Sequence, residues 1–189
     1  MSGRKPNHPG GVWTRFCRDR RGVSAVEFAL IAPVLIVMYC GLAELTQAMM
    51  AQRRLSNIAS QMGDLVAQGA QTGPLKTADI FKIGEITMSP FPLSGLKMCL
   101  ASITSDSTGK DTVAWEQTSG SMTNCPTKGS TITTVPVGVL PASQSVILAR
   151  ASYTYTSPIK LVMPGTMTFN RTYYLRPRKG DAVLWSTSS

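Results

Sequence analysis

The sequence predicts an α+β protein in which one long N-terminal helix carries a small antiparallel β-sheet head. Three observations predict it. Residues 23–43 form an apolar run of 21 residues with one charge, Glu27. Three- and four-residue apolar spacing then continues to about residue 66. From about Thr77 the pattern changes to short runs rich in β-branched and aromatic residues, separated by Gly, Pro and Ser.

Composition narrows the function. Charged residues make up 15% of the 189 positions, against roughly 25% for a soluble domain. That value is too low for a disordered charged protein. The net charge of +9 invites a nucleic-acid reading, but its placement argues against that partner. Residues 1–22 hold six Lys/Arg and one Asp, which leaves only a mild +4 on everything after them. The only His, His8, lies among Pro and Gly near the N-terminus, so an exported domain has no imidazole base for triad chemistry. No metal site or cofactor is expected, nor catalysis; a Gly-rich phosphate loop followed by Lys-Ser/Thr is absent from the sequence.

The apolar run comes first. As a helix, 21 residues rise about 31 Å, the thickness of a bilayer's hydrocarbon core. Arg15, Arg18, Arg20 and Arg21 precede it, and a basic flank stays on the cytoplasmic side. A buried core helix and a cleaved secretory signal are the alternatives. Glu27, Pro33 and the lack of a polar break after the run argue against the signal. A lipoprotein signal at Cys40 fails because Tyr39 sits where a small residue is needed.

Next, Leu45, Met49, Gln52, Leu55, Ile58, Met62 and Leu65 recur at helical spacing and predict an amphipathic continuation. Gly69, Gly73 and Pro74 end it. The expected organisation is a basic cytoplasmic leader at 1–22, a membrane helix at 23–43, its amphipathic continuation at 44–68, and an exported head at 75–185.

In the head, residues 78–86 predict a short helix with Thr77 as a candidate N-cap, broken by Ser89-Pro90-Phe91-Pro92. Residues 96–103 and 112–118 predict two strands around the Ser105–Lys110 turn. Residues 144–156 and 166–175 predict two more, with Pro158 and Pro164-Gly165 between them. Residues 119–135 read as a loop and 185–189 as a loose tail. Asp106, Asp111 and Glu116 read as solvated loop charges, and Arg176, Arg178 and Lys179 as a solvated basic end. Arg53-Arg54 read as a polar helix face, lipid headgroups being the alternative. Trp115 reads as core and Trp185 as tail. Residues 170–172 fit a glycosylation sequon, a tripeptide that also arises by chance.

The cysteines sort by compartment. Cys17 would be cytoplasmic and Cys40 in the membrane. Cys99 and Cys125 would both be exported, where disulfides persist. Their bridge would contribute about 3 kcal/mol. A buried free Cys99 beside an unrelated Cys125 is the alternative.

Glu27 calls for its own account. A carboxylate at mid-bilayer costs about 2.5–3.5 kcal/mol on insertion scales, and less near the edge. It is either a snorkelling or protonated residue, or it pairs with a cation. Cutting after Gly22 would create one, the new amine of Val23, and a neighbouring subunit could bring that amine to Glu27.

Here the sequence resembles a family. Residues 20–28, Arg-Arg-Gly-Val-Ser-Ala-Val-Glu-Phe, resemble the prepilin processing site of type IV pilin-like proteins. Residues 22–44 are more closely similar to the TadE/TadF-like minor pilins, or pseudopilins, of the Tad (Flp) pilus system. The Ala25–Leu30 run followed by Ala32-Pro33 is the most specific part. Residues 149–155 and 174–178 resemble that family's closing strands more weakly. The resemblance implies a type IV pilin-like fold, cleavage between Gly22 and Val23 by a prepilin peptidase, and use of Glu27 and Phe28 in contacts with other pilins or the Tad assembly machinery. The best-known processing motif of this system has Tyr after the Glu; Phe28 keeps the ring. The location implied is the inner membrane, single-pass, with the N-terminus cytoplasmic and the head outside. Two rivals remain at this stage: a secreted enzyme or binding domain behind a cleaved signal, and an anchored binding module that is never processed.

Overall fold

The computed structural model describes residues 21–187. Helix α1 (Arg21–Ala67) runs 47 residues, about 70 Å. Pro33 lies inside it without interrupting it; the freed carbonyl one turn back is the local cost, one that membrane helices tolerate. A two-residue strand β1 (Gln71–Thr72) follows, then α2 (Pro74–Met88), a 3-10 turn (Leu93–Gly95), β2 (Leu96–Ser105), β3 (Asp111–Ser119), β4 (Ser145–Thr156), β5 (Thr166–Leu175) and β6 (Leu184–Trp185). The long strands form one antiparallel sheet in the order β3-β2-β4-β5, and β1 pairs in parallel with β6.

The four long strands coincide with the runs read from the sequence, to within about two residues. Their alternation explains why. On β4, Ile147, Ala149, Ala151, Tyr153 and Tyr155 face one core, while Val146 and Leu148 face another. Helices α1 and α2 cover the first face. The second face, with Ala101, Ile103 and Val113, is covered by Ile132, Val135, Val139 and Leu140 of the β3–β4 connection.

The helix stripe needs correcting. Leu55, Ile58 and Met62 are fully buried, each gaining about 1.5–3 kcal/mol from burial. Leu45, Met49 and Leu65 instead face outward. The packed face is completed by Ala48, Ala51, Ala59, Gly63 and Val66. Small residues win that face because the helix lies close on the sheet: a Cβ at Gly63 would stand 3.0 Å from the Ala149 Cβ and collide with Leu175.

Helix α2 starts four residues earlier than read. Gly73 is its N-cap residue and Pro74 its first residue, where a missing N–H costs nothing. Thr77 is therefore inside the helix, buried, its hydroxyl donating back to the Gly73 and Pro74 carbonyls. The tail differs as well. Leu184 and Trp185 form β6, the Trp185 ring lies 5.4 Å from that of Trp115, and Trp115 Nε1 donates to the Val183 carbonyl at 2.8 Å. Trp115 is core, as read. Trp185 is anchored by that ring and strand, not loose.

Candidate functional site: the helix and its collar

The head packs on α1 from Glu44 onward, with Val162 reaching back to Gly41. From Val23 to Leu42 the large apolar side chains of α1 stand exposed, among them Val26, Phe28, Leu30, Val34 and Ile36. Among the described residues, α1 is the one helix long and apolar enough to cross a membrane, and none of its most apolar 18-residue window is buried. The bare stretch ends within one helical turn of the end of the apolar run.

The processing candidates lie at the far tip. Gly22, Val23, Glu27 and Phe28 occupy the first turns of α1 and are all exposed. The peptide bond after Gly22 lies near the start of the described part of α1. Val23 and Glu27 are four residues apart, on one helix face. Glu27 has no ion-pair partner among the described residues. The leader, with His8, Cys17 and the basic cluster before Arg21, lies outside the described residues.

At the other end of the bare stretch stands a residue the sequence reading missed. The Glu44 side chain is fully buried. Its carboxylate accepts the backbone N–H of Leu161 at 2.7 Å, of Val162 at 3.0 Å and of Met163 at 2.7 Å. Burial alone would raise its pKa. The amides of Leu161, Met163 and Val162, with the Ser157 hydroxyl, outweigh it and hold the carboxyl below its ordinary value. The β4–β5 connection is thereby tied around α1 as a collar. Val162 completes it, its Cγ2 standing 3.0 Å from where a Gly41 Cβ would be. The one signal available was a carboxylate closing an apolar run with no cation within a helical turn.

Beside the collar, Phe91 meets the rings of Tyr153 and Tyr155 edge-on at 6.4 and 6.2 Å. These rings, Gln47 and Pro158 line a groove of about 380 Å³. Burial raises the pKa of both tyrosines, so they are neutral. Among the described residues, no His, Cys or carboxylate lines that groove.

The remaining candidates have structural partners. Cys99 and Cys125 form a disulfide with Cα atoms 5.7 Å apart. It joins buried Cys99 of β2 to the β3–β4 connection on the face away from α1. Arg150 adds a second tie there, donating to the Asn124 carbonyl. Asp106 closes the β2–β3 turn, accepting from the Thr108 amide and hydroxyl and the Lys110 amide. Those bonds, led by the Thr108 hydroxyl, keep its carboxyl below the usual range. Arg54 is more than a polar face: Nη1 donates to the Thr87 carbonyl at 2.9 Å, capping the end of α2. Arg178 pairs with Asp64, and its backbone N–H caps Ala67 at the end of α1. Among the described residues no His/Cys/Asp/Glu group gathers as a metal site.

An α+β head is carried on a helix whose apolar half it leaves bare, a helix long and apolar enough to cross a membrane. Residues 22–63 match the model of the family described as TadE-like protein. The match covers the tip, the bare stretch and most of the packed stripe of α1. No curated protein matches the chain, and no solved structure does.

Proposed function

We propose that this chain is a minor pilin or pseudopilin of a Tad-type pilus system, processed between Gly22 and Val23 by a prepilin peptidase and assembled through α1. It works by helix packing and does no catalysis of its own. One observation carries the reading: the TadE-like segment is the part of the molecule that the head leaves without a partner for its first half, with the processing candidates exposed at its tip.

The chemistry follows from the spacing. In the membrane the bare half is solvated by lipid. In an assembly the same surface packs on the helices of other pilins, with Ser24, Ala25, Ala29 and Ala32 allowing close approach. A new amine at Val23 and the carboxylate of Glu27 are separated by one helical turn. Pairing Val23 of one subunit with Glu27 of its neighbour satisfies both charges in a low-dielectric setting and staggers the helices axially. Partners on this reading are the prepilin peptidase, other pilins, the assembly machinery and the inner membrane, with the head on the outer side.

The variant Glu27→Ala tests it in cells that assemble the pilus. The expected result is normal membrane insertion with loss of assembly, because the apolar run is intact and only the pairing is gone. Wild-type assembly by this variant contradicts the mechanism.

A further inference from the structure

We propose that the collar loop, residues 159–163, is a lipid-contacting element that seats the head on the outer surface of the bilayer. The inference rests on α1 spanning the membrane through residues 23–43, and goes beyond it by assigning a second membrane contact far along the chain.

Height is the first argument. Glu44 is the residue immediately after an apolar run about as long as the hydrocarbon core is thick. Its carboxylate holds the amides of Leu161, Val162 and Met163 at hydrogen-bond distance. The loop is therefore fixed to α1 at the level where the helix leaves the hydrocarbon. A loop on a free hinge would have no defined depth; this one has three bonds to a single residue of the spanning helix.

Surface chemistry is the second. Ile159, Leu161 and Val162 are 43%, 51% and 54% exposed, three large apolar side chains within four positions. Val162 lies against Gly41, so this surface is continuous with the bare helix. Residues 157–165 contain no Asp or Glu, and Lys160 is exposed among the apolar residues. A lysine whose stem lies on apolar surface can present its ammonium to lipid phosphates. The Glu44 carboxylate is shielded from lipid because the loop's own amides enclose it. In water this apolar group would be an exposed patch with no compensation. At the headgroup boundary it is an interfacial anchor, and it limits how far the head can tilt relative to the bilayer.

The test uses the full chain in vesicles of phosphatidylcholine with phosphatidylglycerol. Cys17→Ser and Cys40→Ser leave only the disulfide-bonded pair. Single spin labels are attached at Leu161→Cys, Val34→Cys and Leu75→Cys, and collision with oxygen is compared with collision with a water-soluble nickel chelate. Leu75 lies at the start of α2, beyond the far end of α1, and is 71% exposed. The expected result is lipid protection at Val34 and a severalfold higher oxygen-to-nickel ratio at Leu161 than at Leu75. Ile159→Cys repeats the measurement should the Leu161 variant misfold. A nickel accessibility at Leu161 equal to that at Leu75, with Val34 protected, overturns the proposal and leaves the spanning helix standing. A water-accessible Val34 overturns the spanning helix and the proposal with it. Dipolar broadening at Leu161 that vanishes on dilution with unlabelled chain assigns the loop to a second copy and also overturns the proposal.

Discussion

The Glu44 carboxylate accepts the Met163 amide at 2.7 Å across 119 residues of sequence. Two neighbouring amides bind the same group, so one buried side chain ties the β4–β5 connection to the helix at the edge of its bare half. Glu44→Ala should leave those three amides without their acceptor. The expected outcome is faster hydrogen exchange at Leu161, Val162 and Met163, by roughly tenfold or more, the scale of one lost bond to a charged group. Exchange in β2 should change little. Equal exchange in variant and wild type would show that the loop is held by other contacts.

The same carboxylate predicts a pH dependence. Its folded pKa lies below the ordinary 4.5, so the unfolded chain binds its proton first as pH falls. The stabilisation is fully present above about pH 5 and is lost as pH drops through the folded value. Thermal unfolding of the detergent-solubilised chain should be flat from neutral to about pH 5 and fall below pH 4.5. In Glu44→Gln that acid limb should be shallower. An identical limb in both would assign the acid sensitivity to other groups, Asp106 first.

The disulfide should act locally. Cys99 and Cys125 close a loop of 26 residues, worth about 3 kcal/mol. Cys99→Ser with Cys125→Ser should lower stability by that order and open residues 119–144 to protease. The α1 face should stay packed, since the bridge lies on the opposite side of the sheet. Limited proteolysis followed by mass mapping checks both halves of this expectation.

Gly63 and Leu65 should behave in opposite fashion to their hydrophobicity. Gly63→Leu puts a side chain where Leu175 and Ala149 already stand and should cost about 1–3 kcal/mol or more. Leu65→Ala removes a large apolar side chain from an outward position and should change stability by about 0.5 kcal/mol or less in detergent. Melting temperatures of the two variants decide it, and a larger loss at Leu65 would place the packed face elsewhere.

These residues also show what the sequence could reveal. Strand β5 was legible to the residue because Thr166 to Leu175 alternates and is bounded by Pro-Gly and Arg-Pro. The bare half of α1 was legible as an apolar run from its length and single charge. The face of α1 was not, because a periodicity count favours large apolar residues, whereas close packing on a sheet selects Ala and Gly. Leu45 and Met49 thus carried the pattern without joining the core. The residue type of Thr77 suggests a cap, while Pro74 at the first helical position marks the real start. Glu44 was illegible for a different reason. Its partners are backbone amides more than a hundred residues away, and amides leave no trace in a sequence. Trp185 reads as tail in the sequence for the same reason: its partners Trp115 and the β1 strand are distant in the chain.

The central claim is that α1 becomes the N-terminal assembly helix of a processed subunit, and the mature N-terminus tests it most directly. Chain extracted from membranes of cells carrying their own prepilin peptidase would be sequenced from its N-terminus and weighed intact. The account predicts a start at Val23 with residues 1–22 gone. An intact Met1 or Ser2, or a start near Glu44 or Met49, would contradict it.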